Sequence, residues 1–434
     1  MPNNWKTYKL GEITNVITKG TTPSTYGFGF IDKGVNFIKS ESTNYDGRLD
    51  ETVFVKVSAE AHNKLKRSQL EEDDILFSMA GAYLGKTGMV YKNHLPANTN
   101  QANGIIRVNK NKALPKFVSF LLRNPSLISY VNASAGQSAQ PNINLADIGS
   151  LEFKLPPFQE QQSIVSILSA IDDKIENNLA INKTLEEMAM ALYKHWFVDF
   201  SPFQEGEFVE SELGMIPKGW EVKKIGDFIK HKKGFAFKSN WYQQIGEIVV
   251  RVSDTTHNSI DIKSCERISS ELASNYQNYS LKTNDVVIAT VGSWPPNYAS
   301  VVGKVIRVPI TANGALLNQN AVILNMSIND KTEQGLLYCT LKNERFLKYI
   351  VNSAQGSANQ ASIKLTDIYN YLIPIGENIK IEEFSTQIEL YISQQNSLIE
   401  ENQSLIQLRD TLLPQLISGN VRLKEFRETV EEVL

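Results

Sequence analysis

The sequence is short of cysteine, of long apolar runs and of charge of one sign. Its 434 residues include two cysteines, Cys265 and Cys339, which cannot build a disulfide framework or a cysteine zinc site. No apolar stretch approaches the roughly 18 residues of a membrane-spanning helix, and the amino-terminal MPNNWKTYKL lacks the apolar core of a signal peptide. These absences predict a protein of the reducing cytoplasm that neither crosses a membrane nor is secreted.

Charge is nearly balanced over the chain but segregated along it. The 44 basic and 47 acidic side chains give a net charge of −3, which by itself argues against nucleic acid as a partner. Basic residues nevertheless outnumber acidic ones by 18 to 13 in residues 1–157 and by 18 to 16 in 201–376. Acidic residues dominate by 7 to 3 in 158–200 and by 11 to 5 in 377–434. The segregation indicates four segments of two alternating kinds.

An internal repeat explains this alternation. The segment SAGQSAQPNINLADI (134–148) is similar to a second segment, SAQGSANQASIKLTDI (353–368). Six residues recur at an offset of 220 (356 − 136), namely Gly136, Gln140, Ile143, Leu145, Asp147 and Ile148 as Gly356, Gln360, Ile363, Leu365, Asp367 and Ile368. The chain is therefore a tandem duplication with a unit of about half its length.

Residues 1–157 and 201–376 have the pattern of mixed α/β domains. Short apolar stretches bounded by Gly, Asn and Pro turns predict strands at Val35–Ile38, Ile75–Met79 and Gly104–Val108. A helical pattern follows in each copy, at Phe117–Leu122 and at Gln334–Leu341.

Residues 158–200 and 377–434 have instead the apolar spacing of long helices. Steps of three and four residues define a heptad seam in each, formed by Ile164, Leu168, Ile171, Ile175, Asn182, Leu185, Leu192, Phe384, Ile388, Leu398, Asn402, Leu405 and Leu412. A helix of this length cannot bury its stripe against one small domain. The predicted fold is therefore α+β and multidomain, with two similar α/β domains separated by an antiparallel coiled coil of two long helices with pseudo-twofold symmetry.

Two features of the seam have more than one interpretation. Asn182 and Asn402 occupy equivalent positions and could pair to fix the register, or each could face solvent on a frayed turn. Trp196 and Phe197 are expected to anchor the first helix to a domain in preference to serving a partner protein.

The sequence contains no recognisable catalytic motif. The stretch Gly81–Thr87 has three residues between its first glycine and the Gly-Lys pair where a phosphate-binding loop has four, so it is expected to form a turn. Asp147, Glu152 and Lys154 resemble a nuclease set, but the second copy has Leu372 and Pro374 at the latter two positions. The histidines show no metal-ligand spacing, so the sequence predicts neither a catalytic nor a metal site.

Two similar domains on a rigid spacer suit a protein that reads two sites on duplex DNA. Lysine and arginine would neutralise phosphates while polar side chains read base edges. The candidates are Lys19, Lys39, Ser40, Lys86, Gln137 and Gln140 in the first copy and Lys232, Lys233, Arg251, Ser253, Gln355 and Gln360 in the second.

Four segments carry a family resemblance. They are LPPFQEQQSIV (155–165), LYKHWFVDFSPF (192–203), LGMIPKGWEV (213–222) and LRDTLLPQLISGNVRL (408–423). In order and content they resemble the signatures of type I restriction-modification specificity subunits, over nearly the whole chain. The second copy departs at IPIGENIKIEEF, which lacks the PP-x-x-EQ run of the first.

The resemblance implies two target recognition domains, each reading one half of a bipartite, asymmetric DNA sequence. The helices would set the spacing and bind two modification subunits, which use S-adenosylmethionine to methylate adenine. A restriction subunit that uses ATP and Mg²⁺ would complete an enzyme for defence against phage. The chain itself would hold no cofactor and supply specificity without catalysis.

Two alternatives remain at this stage. A fused methyltransferase would require cofactor and amino-methylation motifs that the sequence lacks. A coiled-coil scaffold that joins two protein-binding domains, without DNA, is the other, and the segregation of basic charge argues against it.

Overall fold

The structure is a computed structural model that describes residues 4–134, 142–256, 258–297, 300–327, 331–357, 360–376 and 378–421. Its contacts divide the chain into two units, residues 1–174 with 405–434 and residues 175–404. Each long helix contributes one part to each unit, so these units do not coincide with the four predicted segments. No helix in the described ranges is long and apolar enough to cross a membrane.

The first α/β domain is formed by the residues that precede the first long helix, and the start of that helix packs in the same unit. Its strands are β1 (Lys6–Lys9), β2 (Thr14–Lys19), β3 (Val35–Ile38), β4 (Val55–Val57), β5 (Ile75–Ser78), β6 (Thr87–Met89), β7 (Ala97–Thr99), β8 (Asn103–Val108) and β9 (Glu152–Leu155). Its helices are α1 (Ala59–Lys64), α2 (Pro115–Leu122), α3 (Pro125–Ser134), α4 (Leu145–Ser150) and the long α5 (Phe158–Phe197).

The second domain has more strands. They are β10 (Phe208–Ser211), β11 (Gly214–Pro217), β12 (Glu221–Lys224), β13 (Ile229–Lys233), β14 (Glu247–Val250), β15 (Glu266–Ile268), β16 (Val286–Ala289), β17 (Val291–Gly292), β18 (Val305–Arg307), β19 (Leu316–Leu317), β20 (Ala321–Met326), β21 (Gln355–Ser357), β22 (Gln360–Ser362) and β23 (Leu372–Ile375). Its helices are α6 (Ser270–Ser274), α7 (Lys331–Lys342), α8 (Glu344–Ser353), α9 (Leu365–Tyr369) and the long α10 (Asn378–Ser418).

The sheets establish the duplication in three dimensions. A four-stranded sheet has the order β2-β8-β5-β6 in the first domain and β13-β20-β16-β18 in the second. A three-stranded sheet, β4-β3-β7, corresponds to β15-β14-β19, and in both the central strand pairs in parallel with the last. The terminal pair β1-β9 corresponds to β12-β23. The two domains therefore share one topology, as the repeat predicts.

The predicted elements of the domains are confirmed. Strand β3 has the predicted bounds, β5 and β8 differ from theirs by one residue, and helices α2 and α7 contain both predicted helical segments. All four residues of β5 are buried, as are those of β16. In β16, Val286 and Ile288 pack into one apolar cluster and Val287 into another, so both faces of the strand are covered. Gly81–Tyr83 forms a single 3₁₀ turn between β5 and β6, so the interpretation of this stretch as a turn is also confirmed.

The long helices bury their apolar stripes within each unit. In the second unit they run antiparallel, because Asn178 lies beside Asn402 whereas Tyr193 lies beside Phe384. The buried seam residues are Ile164, Leu168, Ile171, Ile175, Leu185, Phe384, Ile388, Asn402 and Leu412. The half-buried seam residues are Asn182, Leu192, Leu398 and Leu405.

The buried stripe of α5 changes its spacing along the helix. Towards its carboxyl end, Leu185, Ala189, Tyr193 and Phe197 are buried at uniform steps of four residues. Leu192 is half-buried, because a straight helix of 3.6 residues per turn drifts away from a seam of period 3.5. The buried stripe therefore turns around the helix until it faces the second domain, and its last residues are part of the core of that domain.

Asn182 and Asn402 do not pair with each other, and the buried Asn402 does not face solvent, so neither interpretation offered by the sequence holds for it. The side-chain amide of Asn178 donates to Asn402 Oδ1 at 2.9 Å and to Glu401 at 2.8 Å. Asn402 lies opposite the turn before Asn182, because in an antiparallel pair the repeat offset between two helices does not determine which residues face each other. The half-buried Asn182 instead accepts a hydrogen bond from Gln395 through its main-chain carbonyl.

Trp196 and Phe197 anchor α5 to the second domain, as predicted. The Phe197 ring lies 4.9 Å from that of Phe384 and 5.9 Å from that of Trp220. Trp196 contacts Phe384 and Phe203. These aromatic rings join both helices to the core of the second domain.

A buried ion cluster holds the first domain to the helices. Arg123, at the carboxyl end of α2, donates to Asp172 of α5 at 2.8 Å, and Arg409 of α10 donates to the same carboxylate at 3.3 Å. All three residues are less than 10% exposed. Burial acts to raise the pKa of Asp172, but the hydrogen bond from Arg123 and the charges of both arginines lower it below its ordinary value. Asp172 is therefore ionised at neutral pH.

Different chemistry holds the second domain. Arg307 donates to Gln395 Oε1 at 2.6 Å and to Asn396 Oδ1 at 3.3 Å, both on α10. The hydroxyl of Tyr338 donates to Glu186 of α5, and both groups are buried. Each of these bonds joins one charged group to a neutral one, whereas the first domain is held by a carboxylate between two guanidinium groups.

Replacing Asp172 by Asn should destabilise the first unit by about 3 kcal/mol at pH 7, because the buried Arg123 loses its counter-charge and Arg409 keeps only the exposed Asp410. Since the folded-state pKa of Asp172 is lowered, its contribution is present above the unfolded pKa and is lost as the pH falls through the folded value. Chemical denaturation of the two proteins at pH 7 and in acid should therefore show a difference that shrinks with acidity. The exposed neighbour, in D173N, is the control, and equal destabilisation by both substitutions would contradict the assignment.

Candidate nucleic-acid interface

The first cationic candidates occupy equivalent turns of the two domains. Lys19 ends β2 and Lys233 ends β13, and both side chains are exposed. Each is followed by a glycine, Gly20 or Gly234, whose missing side chain lets the strand pass close to a neighbouring loop. A Cβ on Gly20 would lie 2.2 Å from two main-chain oxygens, and one on Gly234 would lie 2.0 Å from the oxygen of Asn318. The fold therefore presents a lysine at the same place in both domains.

Two further lysines of the first domain lie over aromatic rings. The Lys39 ammonium is 4.8 Å from the centre of the Phe30 ring, and that ring is 48% exposed. Lys86 lies 4.7 Å from the ring centre of Tyr83 and 5.2 Å from that of Tyr45. Such contacts orient a cation without neutralising its charge, so both lysines remain able to attract an anion.

Arg251 is engaged inside its own domain. Its guanidinium donates to Asp254 at 2.8 Å and to Glu266 at 3.0 Å, and the hydrogen bond to Asp254 raises the pKa of Arg251. Arg251 precedes the 3₁₀ turn Val252–Asp254, which corresponds to the turn Ser40–Ser42 after Lys39. At this position the first domain has a lysine that lies over an aromatic ring, and the second domain has an arginine in ion pairs. Binding of a phosphate by Arg251 would compete with two carboxylates.

The polar candidates differ in exposure. Ser40 is 8% exposed and its hydroxyl lies 3.5 Å from a Glu41 oxygen, so the structure places it in the interior and not at a DNA surface. Ser253 is exposed and donates to Asp254 at 3.2 Å. Gln355 and Gln360 are exposed on the β21-β22 hairpin, and Lys232 is exposed on β13. Gln137 and Gln140 lie outside the described residues.

The structure shows roles for the PP-x-x-EQ run that the sequence did not reveal. Glu160 accepts a hydrogen bond from the Trp5 ring nitrogen at 3.1 Å, in addition to its place in the first turn of α5. The buried Gln161 accepts from the Leu114 amide and donates to the Pro156 carbonyl, both at 3.0 Å. These bonds join the start of α5 to the first domain. Trp5 and Leu114 are distant from α5 in sequence, so no spacing rule could have found these two partners.

Comparison with known proteins places the chain in a family. The model of the type I restriction modification DNA specificity domain matches residues 2–187 and 217–401, one copy in each half. The chain belongs to this family.

Two curated relatives extend over nearly its whole length. The specificity subunit of the type I restriction enzyme MjaIX from Methanocaldococcus jannaschii is 27% identical, and the match covers 98% of this chain and 95% of the relative. The HindI specificity subunit from Haemophilus influenzae is 22% identical, with coverage of 96% and 100%.

A solved structure agrees on the fold. The S subunit of a type I restriction-modification system from M. genitalium aligns with a TM-score of 0.52 at 14% identity, covering 96% of this chain and 97% of that one.

The family match shows that the protein is a DNA sequence-specificity subunit of a type I restriction-modification system. It works with modification and restriction subunits, which carry the catalytic activities. The alternative of a scaffold without DNA is not favoured.

Proposed function

We propose that each domain reads one half of a bipartite, asymmetric DNA target, that the paired helices set the spacing between the halves, and that two modification subunits dock on the helices. S-adenosylmethionine, ATP and Mg²⁺ are then used by the partner subunits and not by this chain. The observation that carries the proposal is the duplicated fold, because one topology presents different side chains at equivalent positions.

The pair Lys39 and Arg251 illustrates why the target would be asymmetric. Both residues precede an equivalent 3₁₀ turn, but Lys39 lies over a ring whereas Arg251 is held by Asp254. Two copies that differ in this way offer different charge and donor patterns to the major groove, where each base pair has its own pattern of donors and acceptors. A shared scaffold with diverged surfaces thus suits two different half-sites.

Exchange of residues 201–376 for the matching block of a homologue should change one half of the methylated sequence and leave the other intact. The exchanged block should retain Arg307 and Tyr338, because they bond to Gln395 and Glu186 of the helices. Sequencing of methylated adenines in a host that carries the complete system reads both halves at once. A simultaneous change of both halves would show that the domains are not separate readers.

The role of the helices as a spacer is supported by their polar contacts in the second unit. Asn178 bonds to Asn402 and Asn182 bonds to Gln395, so α5 and α10 have a defined register between these pairs. An insertion that preserves both pairs must enter the two helices at opposed points. The gaps after Ala180 and after Leu398 meet this condition.

Insertion of seven residues at both points preserves the heptad phase and should lengthen the helix pair by about 10 Å at roughly 1.5 Å per residue. Duplex DNA advances about 3.4 Å per base pair, so the methylated target should keep both half-sites and gain about three base pairs between them. Because three base pairs also rotate one half-site about the DNA axis, methylation should be measured over a series of spacers. Four-residue insertions break the phase and should impair assembly. Unchanged preference for the original spacer would contradict the model.

The exposed faces of the helices offer two equivalent apolar positions for docking. Met188 on α5 is 43% exposed and Leu408 on α10 is 45% exposed, and they are related by the repeat offset of 220 (408 − 188). Repeated exposed apolar residues on otherwise polar helix faces are typical of protein contacts, and the repetition supports two equivalent partners.

Substitution M188E or L408E should each reduce the complex from two modification subunits to one, and the double variant should bind none, because a buried unpaired charge opposes docking. Native mass spectrometry of the purified complex gives the stoichiometry. The variants K183E and Q403E, at another exposed pair with the same offset, are the controls. Retention of two subunits by the double variant would exclude these residues from the interface.

A further inference from the structure

A lysine occupies the N-cap position of α9 in the second domain. The equivalent residue of the first domain is Asn144, whose side chain accepts from the Asp147 amide at 2.9 Å and so caps α4. Lys364 makes no such bond, and the Asp367 amide donates instead to the main-chain oxygen of Lys364 at 3.1 Å. The rest of the motif is shared, because Asp147 and Asp367 each accept from the N-cap amide.

Lysine is a poor choice for this position on stability grounds. N-cap positions favour Asn, Asp and Ser, since their side chains accept from free amides at the start of the helix. A lysine side chain can only donate, and its positive charge lies at the positive end of the helix dipole. A local choice that opposes folding in this way indicates a role outside folding.

Lys364 lies on a cleft that contains a second lysine. The cleft has a volume of about 440 Å³ and is lined by Lys233 and Lys364, with Thr290, Gln319 and Thr366 as further polar groups. Its described lining includes no acidic side chain, and neither lysine makes an ion pair with a described residue. Both lysines are exposed, so the cleft has two cations open to an anion, with the exposed Thr366 and Gln319 as further donors; the Thr290 hydroxyl already donates to the Asn320 carbonyl.

The same place in the first domain is less basic. The hydrogen bond from Ile363 to the Thr290 carbonyl corresponds to that from Ile143 to the Met79 carbonyl, which aligns the two sites residue by residue. On this alignment Lys364, Thr290 and Thr366 are replaced by Asn144, Met79 and Ala146. Lys233 and Gln319 keep their counterparts Lys19 and Gln101. The paired cation and the hydroxyls are thus specific to the second domain.

We propose that Lys364 and Lys233 clamp one backbone phosphate of the DNA half-site that the second domain reads. This assignment rests on the proposed function. It makes Lys364 a positioning contact that is independent of base identity, because a phosphodiester is the same at every step of the duplex. The first domain, with Asn144 in its place, lacks the second arm of the clamp and depends on Lys19.

The test compares K364N, which installs the residue of the first domain, with K364R, which keeps the charge. The complex with its modification subunits is titrated with the duplex that carries the methylated target, over a range of salt concentrations. K364N should weaken binding several-fold. The double variant K233Q/K364N leaves the phosphate without a cation and should reduce the slope of log K against log salt by about 0.9, the value for one phosphate contact. K364R should keep the original affinity.

Thermal unfolding supplies the readout that separates this role from a structural one. K364N restores a capping side chain, so it should raise the unfolding temperature of the second domain while DNA affinity falls. A purely structural lysine could not produce these opposite changes. An unchanged salt slope in K233Q/K364N, with the target still methylated, would overturn the clamp and leave the proposed function intact. Equal loss of affinity in K364R and K364N would also overturn it, because the charge would then not be the cause.

Discussion

The structure depends on the need to bury two apolar stripes that are longer than any single domain could cover. Helices Phe158–Phe197 and Asn378–Ser418 each continue through both contact units, and in each unit they bury that stripe against one another and the local domain. Apolar burial of this kind is non-directional, so it brings the helices together without fixing their register. Directional hydrogen bonds between buried side chains, such as that from Asn178 to Asn402, fix which residues of the two helices face each other.

The two domains use the same scaffold but are attached to the helices by different chemistry. A carboxylate between two arginines holds the first domain. The second domain instead donates hydrogen bonds from its side chains to Gln395, Asn396 and Glu186 of the helices. Removing one partner of a buried ion pair leaves the opposite charge unpaired, whereas the second attachment joins each charged group to a neutral partner, so the two attachments differ in their response to substitution. A duplication that began with equivalent halves has diverged at its joints as well as at its surfaces.

Divergence on a common topology also explains how one chain can treat two DNA segments differently. The turn after β2 and β13 has a glycine in both domains, because the close approach of main chain at Gly20 and Gly234 admits no side chain. At the N-cap of α4 and α9 no such constraint applies, and asparagine in one copy is lysine in the other. Positions that packing leaves free are therefore the ones at which binding can be altered.

The sequence by itself determined the duplication, the mixed α/β content, the strand Val35–Ile38 and the two long helices, because periodicity and repeat offset are local properties of a chain. It also indicated the family through four ordered segments. Only the tertiary structure decided that Asn402 pairs with Asn178 and not with Asn182, that Arg251 and Ser40 are engaged within their domains, and that Lys364 shares a cleft with Lys233. These outcomes depend on which distant side chains packing brings together, and the offset between two copies carries no information about the antiparallel register of their helices.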